Sequence, residues 1–408
     1  MQLEKVETDV CIAGGGPAGM VLGLLLAKRG VKVLVCESHP DFAREFRGEV
    51  LMPRFSQMMS QIGLLKFLET KPHLKLSDMR IFYCGNPVAA FQFNRIAPQM
   101  PFAVWMPQPI LLAALEEKAR PLPSFQMWFG AAVRDLIQEN GRVMGAVVHK
   151  DGRPVEVTAR VVVGADGRAS TVRRAGGFEN IREEHDFDII WFNTQKPAAY
   201  PSTVQAFISR RHNYLILPKY PDLIQCGILV PPGEYSEYVK KGIDSIREEL
   251  LDAHPVLAQF AKGLKDFSPF SVLQARVSLA KQWARDGCLL VGDSAHTCSP
   301  AGAIGVSVAV QTAIIAADVV CRAVQKGDTS AAALSEVQAR RQADVEKIQR
   351  IQKRASQLVF PRNRLVAWAL PSIFRVLDGT GALRNMQRRM FVLDRPLEID
   401  PAFRFGGD

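Results

Sequence analysis

Apolar positions along this chain change period several times, and those changes divide it into strands and helices. From Val10 to Glu37 an apolar, β-branched run meets Gly14, Gly16 and Gly19, an apolar stretch follows and ends before Gly30, and Lys32 to Val35 form a second such run that stops at Glu37. That order predicts strand, turn, helix and strand. Ile110 to Lys118, behind Pro109, has helical spacing, and Asp78 to Cys84 and Val88 to Phe93 alternate about Gly85-Asn86-Pro87 as two strands about a turn. Residues 125 to 163 hold short β-rich runs broken at Gly130, Asn140-Gly141 and Asp151-Gly152. The last two pairs favour hairpin turns, so a meander is predicted that ends in a buried strand at Val161 to Val163. Asp188 to Phe192, Val204 to Ile208, Tyr214 to Leu217 and Leu223 to Val230 predict further sheet, and Ser236 to Ala253 and Val256 to Lys262 predict helices. Cys288 to Val291 is a short apolar strand, Gly305 opens a long helix, Thr329 to Arg354 is a charged helix, and Leu365 to Leu377 is apolar around Pro371.

The first of these units carries chemistry. Gly14 suits a tight turn, Gly16 lets the backbone approach a pyrophosphate, and Gly19 lets the helix pack closely on the strand. Pro17 fits the first helical turn, where its missing N–H costs nothing. The free N–H groups and positive dipole of that helix end then face an anion. Glu37, 18 residues after Gly19, closes the second strand where a carboxylate can accept ribose hydroxyls. A dinucleotide site is therefore expected, of NAD or FAD type. In the run Gly164-Ala165-Asp166-Gly167-Arg168-Ala169-Ser170, a buried strand ends in a glycine and acid turn, with Ser170 placed to cap a short basic helix. In Gly292-Asp293 a second acid turn precedes a loop and the Gly305 helix, whose N-terminus offers positive potential to an anion. His296 is read as either a general base or, more commonly for a loop histidine, a residue that holds its neighbours by hydrogen bonds.

Composition adds little to the class and something to the partners. The 408 residues exceed one small domain, and 48% hydrophobic with 23% charged residues is ordinary for a globular protein. Residues 339 to 390 hold 12 Lys and Arg against 3 acids, so nearly all of the net charge of +10 belongs to the C-terminal segment. That segment is read as a helix pair with a solvated basic face, with peripheral membrane contact as the less favoured reading. Nucleic-acid binding has only the charge in its favour and is not expected. The apolar runs are interrupted short of a membrane span and the N-terminus has no signal-peptide pattern, so a cytoplasmic protein is expected. Seven scattered cysteines without CxxC spacing predict buried reduced thiols and neither disulfides nor a metal site.

Three pieces in order, GGGPAG with Glu37, GADGRASTVRR, and LLVGDSAHTCSPAGAIGVSVAVQ, resemble the FAD-dependent aromatic hydroxylase family, the single-component flavoprotein monooxygenases similar to para-hydroxybenzoate hydroxylase. The resemblance implies an α/β fold, with a Rossmann-like FAD-binding domain (1–77, 101–186 and 268–330) interleaved with a β-sheet substrate domain (78–100 and 187–267), plus C-terminal helices (331–408). It implies that Gly14, Gly16, Pro17, Ala18 and Gly19 cradle the FAD pyrophosphate and that Glu37 binds the adenosine ribose. Arg47 and Gln108 are further cofactor contacts, Asp166 is linked to FAD and pyridine-nucleotide binding, and Asp293 binds the ribityl and pyrophosphate part. Pro300, Gly302, Ala303, Ile304, Gly305 and Val306 approach the isoalloxazine. No second GxGxxG unit exists for a separate pyridine-nucleotide domain, so NADH or NADPH is expected as a transient electron donor. The implied reaction is hydroxylation of an aromatic, polyketide-like or other lipophilic small molecule by O₂ through a flavin C4a-hydroperoxide. Tyr214 and His212 are weak candidates, by region only, for a base acting on a phenolic substrate. Trp191-Phe192-Asn193 does not reproduce the tryptophan-rich halogenase signature, so halogenation is not expected. A flavin-dependent reductase or dehydrogenase of an isoprenoid or quinone-type lipid, and a non-catalytic flavin-binding protein, are the alternatives.

Overall fold

The computed structural model describes residues 4–43, 49–198, 200–209, 213–251, 253–359 and 364–406. Five parallel strands form the centre of the first sheet, in the order Cys288–Leu290, Arg153–Gly164, Glu4–Ala13, Val33–Cys36 and Phe125–Trp128. A parallel sheet must be covered on both faces, and the strand ends show it: Val10 to Ala13 and Val161 to Val163 are all buried. The helix Pro17–Lys28 is apolar nearly all round because it is enclosed, packed on the helices Gln108–Ala119 and Gly305–Lys326. The hairpin Ala131–Glu139 and Arg142–Lys150 turns at Asn140-Gly141 and adds antiparallel to Arg153–Gly164.

The second sheet has eight strands, mostly antiparallel, in the order His296–Thr297, Ser271–Ala280, Asn180–Gln195, Leu223–Val230, Asn213–Lys219, Thr203–Ile208, Asp78–Tyr83 and Asn86–Gln92. Its side chains alternate between two cores. Ile189, Trp191 and Leu217 belong to the main core shared with the first sheet, and Leu215 packs against it. Ile190, Phe192, Tyr214 and Ile216 face a second core closed by the helices Glu234–Lys241, Ile243–Leu251 and Pro255–Gly263. A small third sheet of Val50–Leu51, Ala103–Trp105 and Leu74–Leu76 has strands too short for alternation to reveal.

Several expectations are corrected. The domain boundaries at 186 and 268 cut through the second sheet, because Asn180–Gln195 and Ser271–Ala280 pair with each other along their length. The helix expected over 236–253 is two helices, broken where Gly242 takes φ +90°. The turn expected at Gly85-Asn86-Pro87 lies one residue earlier, at Cys84-Gly85, both with positive φ as a tight hairpin requires. The apolar run around Pro371 is one helix, Arg364–Gly379, with the proline inside it. Cys84 is exposed, whereas the other six cysteines are buried and all seven are free. The helix Gly305–Lys326 is apolar and long enough to cross a membrane, against the expectation of shorter runs, but 78% of its apolar window is buried inside the fold.

Candidate active site

A cavity of about 900 Å³ runs between the two sheets and is closed on its third side by the C-terminal helices. At one end it is lined by the turn of the first βαβ unit. Gly14 adopts φ +102°, and a Cβ there would lie 2.5 Å from the Ala165 carbonyl oxygen. Gly19 packs so closely that its Cβ would meet the Gly14 carbonyl oxygen at 2.0 Å. A Cβ on Gly16 would meet nothing within 4 Å. The first two glycines are thus required by the fold itself, and the third opens onto free space at the helix N-terminus, where the leading N–H groups have no acceptor within the helix.

Glu37 is buried directly after the strand Val33–Cys36. Its Oε2 accepts from the Gly15 N–H at 2.8 Å, and its Oε1 from the His39 N–H at 3.0 Å, so the carboxylate also fixes the glycine turn. Gln108 begins its helix with a buried side chain at the cavity wall.

Asp166 lines the cavity, yet its carboxylate is engaged within the protein. Oδ1 accepts from Ser170 Oγ (2.5 Å) and Ser294 Oγ (3.0 Å), and Oδ2 from the N–H groups of Thr171 (2.6 Å) and Val172 (3.2 Å). It therefore pins the short helix Thr171–Ala175 to the Asp293 turn. Asp293 differs: no donor among the described residues reaches its carboxylate. It lines the cavity, and desolvation by burial pushes its pKa up to about 6, with Arg168 pulling the other way.

Pro300, Gly302, Ala303, Gly305 and Val306 line the same cavity with Gly14, Gly16, Pro17, Ala18, Glu37, Gln108, Asp166 and Asp293. Gly19 and Ile304 do not, since each is spent on packing behind the wall. Arg47 and His212 lie outside the described residues. Tyr214 touches the cavity rim, but strand alternation turns its ring into the second core, where its hydroxyl donates to Glu249 on the helix Ile243–Leu251. It is not placed to act as a base on a cavity ligand. His296 is buried, bonded through Nε2 to Thr312 Oγ1 at 2.9 Å, and burial depresses its pKa to about 3. It holds its neighbours and stays neutral.

Beyond these groups the cavity wall is the inner face of the second sheet, built from Met79, Ile81, Ile189, Trp191, Leu215 and Leu217. An open pyrophosphate cradle, an unspent carboxylate and a helix N-terminus at Gly305 with free space before it form a donor and acceptor set that fits FAD. The comparisons agree. Residues 7–351 match the family model described as an FAD binding domain. The chain belongs to the family of FAD-dependent aromatic monooxygenases. It is 33% identical over 398 residues to 6-methylpretetramide 4-monooxygenase of Streptomyces rimosus, covering 97% of this chain and 95% of that one. Its fold is similar to that of p-nitrophenol 4-monooxygenase of Pseudomonas putida (TM-score 0.82, 18% identity, 97% of this chain and 100% of the other). It is also similar to that of anhydrotetracycline hydroxylase of Streptomyces rimosus (TM-score 0.74, 22% identity, 97% and 78%).

Sequence reasoning missed the residues that hold this site in place. Gln352, wholly buried on the helix Glu336–Val359, accepts from the Ser299 N–H at 3.1 Å and donates to the carbonyls of Ser299 (2.8 Å) and Ala301 (2.7 Å). One side-chain amide thus clamps the loop leading to Gly305. Gln349, one turn earlier, donates to Thr297 and Ser278 carbonyls. Arg54 is 2% exposed and bonds Gln311, Asp344 and the carbonyls of Arg389 and Val392. These residues sit in charged or mixed helices without a motif, and no signal in the sequence marks their partners, which are up to 338 positions away.

Proposed function

We propose that this monooxygenase uses NADH or NADPH and O₂ to hydroxylate an aromatic polyketide with fused rings. The observation that carries the reading is the continuity of the 900 Å³ cavity from the phosphate cradle to an apolar sheet face. The 33% identity to 6-methylpretetramide 4-monooxygenase, over almost the whole chain, supports it. In this reading the helix Pro17–Lys28 presents its N-terminus to the pyrophosphate, Glu37 accepts from the adenosine ribose, and Asp293 and Gln108 bond the middle of the cofactor. The loop 300–306 faces the flavin ring. Bound FAD, once reduced, supplies activation of O₂ and transfer of one oxygen atom to an electron-rich carbon. The chain's own part is to exclude water with the apolar wall and to place positive potential at the Gly305 helix end, where charge builds on the ring system. Residues 78–100 and the strands from Asn180 to Ala280 form the substrate side, and the remainder up to 330 forms the cofactor side.

The test is ligand-stimulated oxidation of NADH and NADPH under labelled dioxygen with a panel of polycyclic phenols, read by product mass. Gain of one labelled oxygen atom is expected. Dehydrogenation without oxygen gain, or anaerobic reduction of an isoprenoid, overturns the reading.

A further inference from the structure

The helix Ala382–Phe391 belongs to the basic C-terminal segment, and its two faces differ in kind. Arg384, Arg388 and Arg389 are exposed, whereas Leu383, Met386, Gln387 and Met390 recur at helical spacing and line the cavity. The inner face of this helix is therefore a wall of the ligand chamber, and its outer face carries the basic charge. The wall is held firmly. Arg54 Nη2 donates to the carbonyls of Arg389 and Val392 at 3.1 Å each, and Gln57 Oε1 accepts from the Leu393 N–H at 2.9 Å. At its end the helix presses on the flavin-facing loop, since a Cβ on Gly302 would lie 2.7 Å from Met390 Cε.

Within this wall Gln387 is out of character. Its side chain is 3% exposed, its neighbours on the inner face are apolar, and its Nε2 is buried with no hydrogen-bond partner among the described residues. A primary amide in an apolar wall loses its water and gains nothing in return unless a ligand supplies an acceptor. The neighbouring amides on the same side are spent: Gln352 on the loop 299–301 and Gln311 on Arg54.

We infer that Gln387 is a specificity-determining residue, its side-chain amide turning its NH₂ to the chamber to donate to a carbonyl or phenolic oxygen carried by the ring substrate. The rest of the helix face sets the size of the ring system admitted. This inference rests on the reading of the cavity as a chamber for oxygenated aromatic rings. It selects among such rings by their oxygen pattern, because a site built to donate to an oxygen rejects the analogue that lacks it.

The experiment compares binding of alizarin, which carries ring carbonyls and hydroxyls, with binding of anthracene, which has neither, by tryptophan fluorescence quenching of the FAD-loaded enzyme. Gln387→Leu, Gln387→Met and Gln225→Leu are compared with wild type, with thermal melts confirming the fold. Gln225 is a buried amide on the sheet side of the same cavity and serves as the comparison. Both Gln387 variants are expected to weaken alizarin about five- to tenfold, the value of one neutral hydrogen bond, and to leave anthracene unchanged or tighter. Equal loss for both ligands, no loss for either, or a loss confined to Gln225→Leu overturns the assignment. Wild-type enzyme that binds neither ligand sinks the aromatic-chamber reading itself, and the assignment with it.

Discussion

Gly14 and Gly16 belong to one turn but answer to different constraints, and substituting each by alanine separates folding from cofactor binding. At Gly14 the backbone sits at φ +102° and an added Cβ would lie 2.5 Å from the Ala165 carbonyl oxygen and 2.9 Å from Asp166 Cα. Both obstacles are backbone atoms, so Gly14→Ala must move the turn or the adjacent strand end, at a cost of about 2–4 kcal/mol from positive φ and overpacking together. At Gly16, φ is −72° and ψ is 179°, which alanine adopts freely, and the new methyl meets nothing within 4 Å. The apoprotein should keep its stability or gain about 0.5 kcal/mol through a less flexible unfolded chain. That methyl would nevertheless occupy the space through which a pyrophosphate reaches the helix N–H groups. Losing one or two charge-assisted hydrogen bonds, each about 1.5–3 kcal/mol, weakens FAD by roughly 10- to 1,000-fold or more. Apoprotein melting and fluorescence titration of FAD give the two quantities independently. Gly16→Ala binding FAD as tightly as wild type would refute the cradle assignment, and Gly16→Ala melting far below wild type would refute the claim that the space is free.

Other outcomes follow from the same geometry. Gln352→Leu strands one buried N–H and two buried carbonyls, and should cost about 2–4 kcal/mol by chemical denaturation while blurring the fine structure of the bound flavin spectrum; a variant within 0.5 kcal/mol of wild type would show that the clamp is dispensable. Arg54→Met removes the guanidinium that ties the end of the helix Ala382–Phe391 to Asp344 and Gln311, and should cost about 3 kcal/mol or more and expose the segment after residue 380 to limited proteolysis, with unchanged cleavage as the contrary result. Asp293 titrates near 6 in the apoprotein against 3.8 in an unfolded chain, so between those values the folded state binds more protons and stability falls as pH rises. Asp293→Asn should therefore stabilise the apoprotein by about 1–2 kcal/mol above pH 6, with no difference below pH 4, and should weaken FAD, because hydroxyl groups lose a charged acceptor; equal pH dependence of melting in the two proteins would contradict the placement of that carboxylate in a poorly solvated wall.

The local physics of the chain determined much of this protein before any tertiary contact was considered. A βαβ unit with Gly14, Gly16, Gly19 and Glu37 is legible because turn geometry, helix dipole and strand end are all set within 28 residues. The acid turns at Asp166 and Asp293 are legible for the same reason, as are most strands of the second sheet, whose alternation follows from one face meeting the cavity and the other a separate core. What each acid does was not legible. Asp166 and Asp293 look alike in sequence, yet Ser170, Thr171 and Ser294 consume the first carboxylate while the second is left to the cavity. Tyr214 is a candidate by region alone, and the register of its strand turns its hydroxyl to Glu249 and away from the cavity. The charge of the C-terminal segment marks its solvated face, as a packing helix pair requires, and says nothing of what the other face meets. Its inner face, with Gln387, and the two buried anchors, Gln352 and Arg54, are properties of partners separated by tens to hundreds of residues. Local periodicity records which side of an element is buried, and it carries no information on what that side is buried against.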